Sequence, residues 1–177
     1  SFCDKIFVYD QMSTDMSPFI CTDFPGVDVT FWESKVEKGK LNDNETRWIK
    51  HDSYIEHSRG EADWVILHDC DEFIYHPNIV EVLERYKREG VNYPIIQGCE
   101  MVSEEFPSYT ENSQITDLIK TGVKHSPFPI EEIYTKENGW GFSKPIVFNP
   151  DLEVLLSLGS HFIVMASSDT HKFVFSE

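Results

Sequence analysis

The stretch Trp64–Phe73, WVILHDCDEF, constrains this chain more than any other. Trp64, Val65, Ile66 and Leu67 form a continuous apolar run that ends abruptly in Asp69, Asp71 and Glu72, with Cys70 between the aspartates. An unbroken apolar run of this length suits a strand covered on both faces, as in a parallel sheet flanked by helices. Ligands of such sheets bind at the carboxyl ends of the strands. Acidic side chains packed this densely repel one another unless a cation or solvent relieves them, and hard divalent ions prefer oxygen donors of this kind. Two readings follow: a site for Mg2+ or Mn2+, or a solvated turn after a strand.

Charge bears on the choice. Fifteen basic against thirty-one acidic residues leave a net charge of −16, which repels a phosphate backbone and argues against nucleic acid as a partner. The same charge repels a free diphosphate, so a diphosphate ligand requires a cation at the place where it binds. At 177 residues, 40% hydrophobic and 14% aromatic, the chain is expected to fold as one domain, residues 1–177, with no apolar run near the roughly 20 residues that cross a bilayer. Cys3, Cys21, Cys70 and Cys99 show no metal-binding spacing and read as reduced, packed thiols, which predicts a cytoplasmic protein.

Ile6–Tyr9 is a second apolar strand, and it too ends in a carboxylate, Asp10. Ser17 before Pro18 reads as the cap and first position of a short helix. Val27, Val29 and Phe31 alternate with Asp28 and Thr30, a strand with one wetter face. A helix from about Glu45 to Arg59, capped by Asn42 or Asn44 and ended by Gly60, is marked on one side by Trp48, Ile49, Asp52 and Ile55. The clearest helix carries Ile79, Val82, Leu83 and Tyr86 at i, i+3, i+4 and i+7 and stops at Gly90. Strands are predicted over Tyr93–Cys99, Ile146–Phe148 and Phe162–Met165, with a helical patch around Ile115–Thr121. Glu100 follows the first of these strands and is a candidate general base, as are Glu104 and Glu105 in the next loop, the alternative being an exposed glutamate. The proline-rich segment 103–141 is irregular, and loops on a rigid scaffold commonly carry specificity.

The run Asp69-Cys70-Asp71-Glu72-Phe73 resembles the Asp-x-Asp-Glu-Phe motif of the glycosyltransferase family 2-like group of the GT-A fold. Ile6–Asp15 is similar to that group's second strand and its Asp-x-x-Ser-x-Asp turn, and Lys144-Pro145-Ile146-Val147 with Gly159-Ser160-His161-Phe162 resemble its closing strand and late histidine. The resemblance implies an α/β, GT-A-like (nucleotide-diphospho-sugar transferase) sandwich with a mixed, mostly parallel central sheet flanked by helices. It implies metal-dependent transfer of a sugar from a UDP- or GDP-sugar to a glycan or other hydroxyl acceptor. Metal ligands would be Asp69, Asp71 and His161, binding Mn2+ or Mg2+, and substrate contacts would come from Asp10, Asp15, Arg47, Asp69 and Lys144. The group's first strand and Asn-Glu turn have no counterpart before Ile6. Two other functions remain open: a degenerate module of this fold that binds sugar or protein without turnover, and an aspartate-nucleophile phosphatase, which also places Asp-x-Asp after an apolar strand.

Overall fold

Residues 2–37, 42–96, 98–108, 113, 118–124, 146–160, 163–166 and 173–175 are described by the computed structural model of the chain. The first unit is strand, helix, strand. β1 (Ile6–Asp10) runs parallel to β2 (Val27–Phe31), with Ile6 opposite Val27 and Asp10 opposite Phe31. Along β2 the predicted alternation holds for four positions: Val27 and Val29 are half-buried, whereas Asp28 and Thr30 are exposed. Phe31 breaks it, being 56% exposed. The link between them is α1 (Ser17–Thr22), which packs against β2. Ser17 is the first helical residue rather than the cap; Met16 holds the cap position, and the Ser17 N–H is taken by Asp15 Oδ1 at 2.9 Å. Gly26 (φ 80°) turns the chain into β2, and its carbonyl accepts the Ile6 N–H at 2.9 Å. A Cβ here would stand 3.2 Å from the Asp4 carbonyl oxygen in a backbone conformation that side chains disfavour.

α2 (Asp43–His57) follows, with Asn42 at its N-cap. The predicted side is only partly inward, with Ile55 packing against the core. Trp48 is 43% exposed and Asp52 is exposed, while Tyr54 is the buried residue of the helix and Ser58 is buried just past its end. The inward stripe is Arg47, Lys50, His51 and Tyr54, a helical i, i+3, i+4, i+7 pattern written mostly in polar residues. The helix stops where Ser58 and Arg59 N–H both reach the Tyr54 carbonyl, at 2.9 and 3.1 Å. Gly60 (φ 75°) then lets the chain leave, and its N–H donates to Asp151 Oδ1 at 2.8 Å.

The acidic motif is delivered by β3 (Val65–Ile66), shorter than the run Trp64–Leu67. Its partner is β7 (Val147–Phe148), and the pairing is antiparallel, with Val65 opposite Phe148 and the Leu67 N–H reaching the Ile146 carbonyl at 2.9 Å. Val65 is buried; Trp64, Ile66 and Leu67 are half-buried. Around this pair lies the core: Tyr54, Val65, Tyr93, Phe148, Val154 and Leu156.

α3 (Ile79–Arg88) buries the predicted stripe, with Ile79, Val82 and Leu83 half-covered and Tyr86 3% exposed. Its end is closed by the Val91 N–H on the Tyr86 carbonyl at 2.9 Å. Tyr93–Cys99 divides into two elements. β4 (Tyr93–Ile95) pairs parallel with β10 (Phe173–Phe175), and β5 (Cys99–Val102) pairs antiparallel with β6 (Thr121–Lys124). Thr121 therefore opens a strand instead of closing a helical patch. β8 (Val154–Leu156) pairs antiparallel with β9 (Ile163–Ala166), with an irregular register between Leu155 and Leu156. Among the described residues the strands form five two-stranded pairs, two parallel and three antiparallel, in a mixed α/β fold. No helix among these residues is long and apolar enough to cross a membrane.

Candidate functional site

The acidic motif closes on itself as soon as β3 ends. The Glu72 N–H donates to the Asp69 carbonyl at 3.0 Å, and the Glu72 carboxylate turns back to accept the Asp69 N–H at 3.2 Å. The same Asp69 carbonyl accepts from His68 Nδ1 at 2.7 Å. Glu72 thus braces the turn. Asp71 is exposed, and the Asp69 side chain is 46% exposed.

Asp69 has a cationic partner from within the chain. Lys50 Nζ lies 2.8 Å from Asp69 Oδ1 and donates to Ser160 Oγ at 3.3 Å, with the lysine side chain only 16% exposed. One ammonium therefore ties α2 to the acidic turn and to the 3-10 turn Leu158–Ser160, where Ser160 is buried in the left-handed region (φ 59°). A partly buried lysine between a carboxylate and a hydroxyl relieves part of the repulsion that the acidic run alone would create. One helical turn earlier, Arg47 donates from Nη2 to Asn44 Oδ1 at 2.7 Å and lies 5.5 Å from the Trp48 ring. Its Nε is buried and unpaired among the described residues.

The other sequence candidates divide. Asp10 Oδ1 accepts the Ser13 N–H at 2.7 Å, and the Asp10 carbonyl accepts the Trp32 N–H at 2.9 Å. Asp15 caps Ser17, and that backbone hydrogen bond holds its carboxyl below the usual aspartate range. Both carboxylates stabilise local turns on the β1–α1 unit. That unit joins α2 elsewhere, through His57, which stacks on Phe7 at 4.2 Å and meets the Tyr9 hydroxyl at 3.3 Å. Glu100 stands opposite Val123 in β5 and is exposed. Lys144 and His161 lie outside the described residues, as does most of segment 103–141. Sequence reasoning missed Lys50, His51 and Ser160. The available signal was the polar stripe of α2 in step with Tyr54.

The thiols are not all packed as expected: all four cysteines are free, but Cys70 and Cys99 are exposed. Cys70, though exposed by surface area, loses enough surrounding solvent to push its thiol up, with neighbouring Cys21, Asp69 and Asp71 adding to the effect. A groove of about 290 Å³ lies on the β1–β2 unit, lined by apolar residues such as Ile6, Val8, Phe24 and Val27 with Asp4 beside them. It holds no basic group, which leaves the Asp69 neighbourhood as the polar candidate.

Among the described residues no group of three or more His, Cys, Asp or Glu side chains is arranged to hold a metal. Two carboxylates, Asp69 and Asp71, remain as oxygen donors, and Mg2+ is commonly held by one or two carboxylates completed by water and substrate phosphates. Of these two carboxylates Asp69 is already paired with Lys50 at 2.8 Å, and Asp71 is exposed. No family model, curated protein or solved structure matches the chain.

Proposed function

We propose that this chain carries out metal-dependent transfer of a sugar from a nucleotide diphosphate sugar to a hydroxyl acceptor, on a GT-A-like sandwich with a mixed, mostly parallel central sheet. The observation that supports it most is the ion pair at the end of a core strand, Asp69 with Lys50, beside the exposed Asp71. A nucleotide diphosphate with its cation presents the same two signs. Asp69 and Asp71 would hold Mn2+ or Mg2+, with His161 as a third ligand, and the ion would supply positive charge to the departing diphosphate. Lys50 fixes the orientation of Asp69, and Glu72 braces the turn that presents both aspartates. Arg47 and Lys144 face the phosphates in this reading, Asp10 and Asp15 the nucleoside, and Glu100 is the candidate base for the acceptor hydroxyl. Free cysteines, two of them exposed, suit a reducing compartment such as the cytoplasm.

A second reading is favoured by one observation. Lys50 already counters the charge of Asp69, as in a module of this fold that binds without turnover. Adding Mn2+ with UDP or GDP is expected to raise the melting temperature, because a ligand bound only by the folded state stabilises it by mass action. Release of sugar from a UDP-sugar in Mn2+ is the result expected of the transferase; binding without release supports the module, and cleavage of a phosphate monoester alone supports the phosphatase. An unchanged melting temperature with every nucleotide diphosphate at millimolar concentration sinks the nucleotide reading.

A further inference from the structure

β1 and β2 run parallel, and parallel strands are found almost only where both faces of the sheet are covered. The two faces of this pair are met differently. Phe7 and Tyr9 alternate to one side, where His57 at the end of α2 stacks on the Phe7 ring at 4.2 Å and meets the Tyr9 hydroxyl at 3.3 Å. Ile6 and Val8 alternate to the other, and the register sets Val27 beside Ile6 and Val29 beside Val8, so that four apolar side chains share this second face. Here lies the groove of about 290 Å³, walled by Ile6, Val8 and Val27, by Cys21 of α1 and by Phe24. α1 is only six residues long and stands at its border, leaving Ile6 42% and Phe24 61% exposed.

Size and charge say what covers this face. The groove is at the foot of the roughly 300–1,000 Å³ range of small-molecule sites, while exposed apolar surface continues onto Phe19 and Ile20 of α1, as it does at protein interfaces. Sheet faces in α/β folds are covered by helices. The surrounding charge is of one sign. Residues 1–31 carry five aspartates against Lys5 alone, whereas the whole chain has about two acidic residues for each basic one. Lys5 stands 4.0 Å from Asp28, Asp4 lies in the groove wall, and the exposed Asp23 directly precedes Phe24. A second copy of this chain would bring the same acidic charge to the face, and a basic partner would bring the complement.

We propose that this face of β1 and β2 docks an amphipathic basic helix of another protein, its apolar stripe seated in the groove and its lysine or arginine residues meeting Asp4 and Asp23. The proposal stands apart from the nucleotide reading, since it uses none of the residues assigned to the nucleotide or its metal.

The test uses a fluorescent synthetic peptide of leucine and lysine at helical spacing, with a leucine and glutamate peptide of the same pattern as control. Anisotropy is followed on titration with the wild-type chain and the Phe24→Ser, Asp4→Lys and Glu81→Lys variants, with folding checked by circular dichroism. Phe24 and Asp4 are exposed, so neither substitution disturbs the core, and Glu81→Lys makes the same charge reversal on the exposed side of α3. The lysine peptide is expected to bind the wild type and Glu81→Lys alike, and at least about tenfold more weakly to Phe24→Ser. Asp4→Lys should also weaken binding, by a factor that shrinks as salt is raised. Alkylation of the half-buried Cys21 by iodoacetamide, read by mass spectrometry, should slow at least about tenfold in saturating peptide, while that of the exposed Cys99 on β5 is unchanged. Absence of binding to the folded wild type, equal affinity across all variants, unprotected Cys21, or equally tight binding of the glutamate peptide overturns the proposal. A wild-type dimer in sedimentation that Phe24→Ser disperses overturns it too, and makes the face an interface between copies of this chain.

Discussion

Lys50 and Asp69 form an ion pair of 2.8 Å in which the lysine is the more buried partner, its side chain 16% exposed against 46% for the aspartate. The pair joins α2 to the end of β3, so the acidic motif is held in place by a helix that precedes it by one loop. It also separates the two aspartates by role, since Asp71 is exposed.

Asp69→Asn and Asp71→Asn are therefore expected to behave differently. Loss of the Asp69 charge leaves the Lys50 ammonium without its carboxylate and should destabilise the protein by about 1 kcal/mol, the value being moderated by the solvent exposure of Asp69. Asp71→Asn should leave the metal-free protein within about 0.5 kcal/mol of wild type, or slightly more stable through relief of repulsion among the acidic side chains. Affinity for Mn2+ with UDP should fall about tenfold or more in Asp71→Asn. Urea denaturation of both metal-free variants and calorimetry of Asp71→Asn give the comparison. Unaltered Mn2+ affinity in Asp71→Asn removes Asp71 from any metal site, and a large loss of its stability makes it a structural residue.

Tyr54 anchors the core by its ring and its hydroxyl together. The ring meets Phe148 edge-on at 5.1 Å, while the hydroxyl accepts the Val154 N–H at 2.7 Å and donates to the Val154 carbonyl at 3.0 Å. Tyr54→Phe keeps the ring and leaves a buried N–H unpaired, at a cost of about 1–3 kcal/mol. Tyr54→Ala adds a cavity and should cost about 3–5 kcal/mol. Equal denaturation midpoints for wild type and Tyr54→Phe would show that the hydroxyl contributes nothing.

Alkaline stability should depend on Tyr93, which is 3% exposed and whose phenol burial pushes up to about 12. The unfolded chain ionises this group near pH 10, so the folded state binds the proton more tightly and its contribution is fully present below that value. Stability should fall as pH rises from about 10 through 12, by at most about 1.4 kcal/mol per pH unit from this one group. Burial raises the Tyr54 phenol as well, in the same direction. Tyr93→Phe should flatten the fall between pH 10 and 12 in a series of urea midpoints; an unchanged slope assigns the alkaline loss to other groups.

The described residues show how far local pattern reaches. The stripe Ile79, Val82, Leu83, Tyr86 was legible as a buried helix face because each of its members is apolar and the period is that of the helix. Asp10 at the end of β1 and the Asp69–Glu72 run after β3 were likewise placed by their apolar lead-ins. On α2 the same method marked Trp48, Ile49, Asp52 and Ile55, of which Ile55 packs on the core, and passed over Arg47, Lys50, His51 and Tyr54, which also lie inward. Hydrophobic periodicity reports a helix face only when that face is apolar, and a face built to meet carboxylates and hydroxyls carries no such mark.

By itself the sequence determined that an acidic turn follows a core strand, that helices end shortly before Gly60 and Gly90, and that the chain as a whole is strongly acidic. Only the tertiary structure decided what the acidic turn faces. Lys50 lies 19 positions before Asp69 and 110 before Ser160, separations over which no local spacing encodes a contact. The antiparallel partner of β3 comes from Val147–Phe148 for the same reason. Glu72, a charge like its neighbours in sequence, becomes a brace because its carboxylate reaches back to the Asp69 N–H. Charge type is a property of the residue, but which opposite charge or donor meets it is settled by the packing of α2 against β8 and the 3-10 turn.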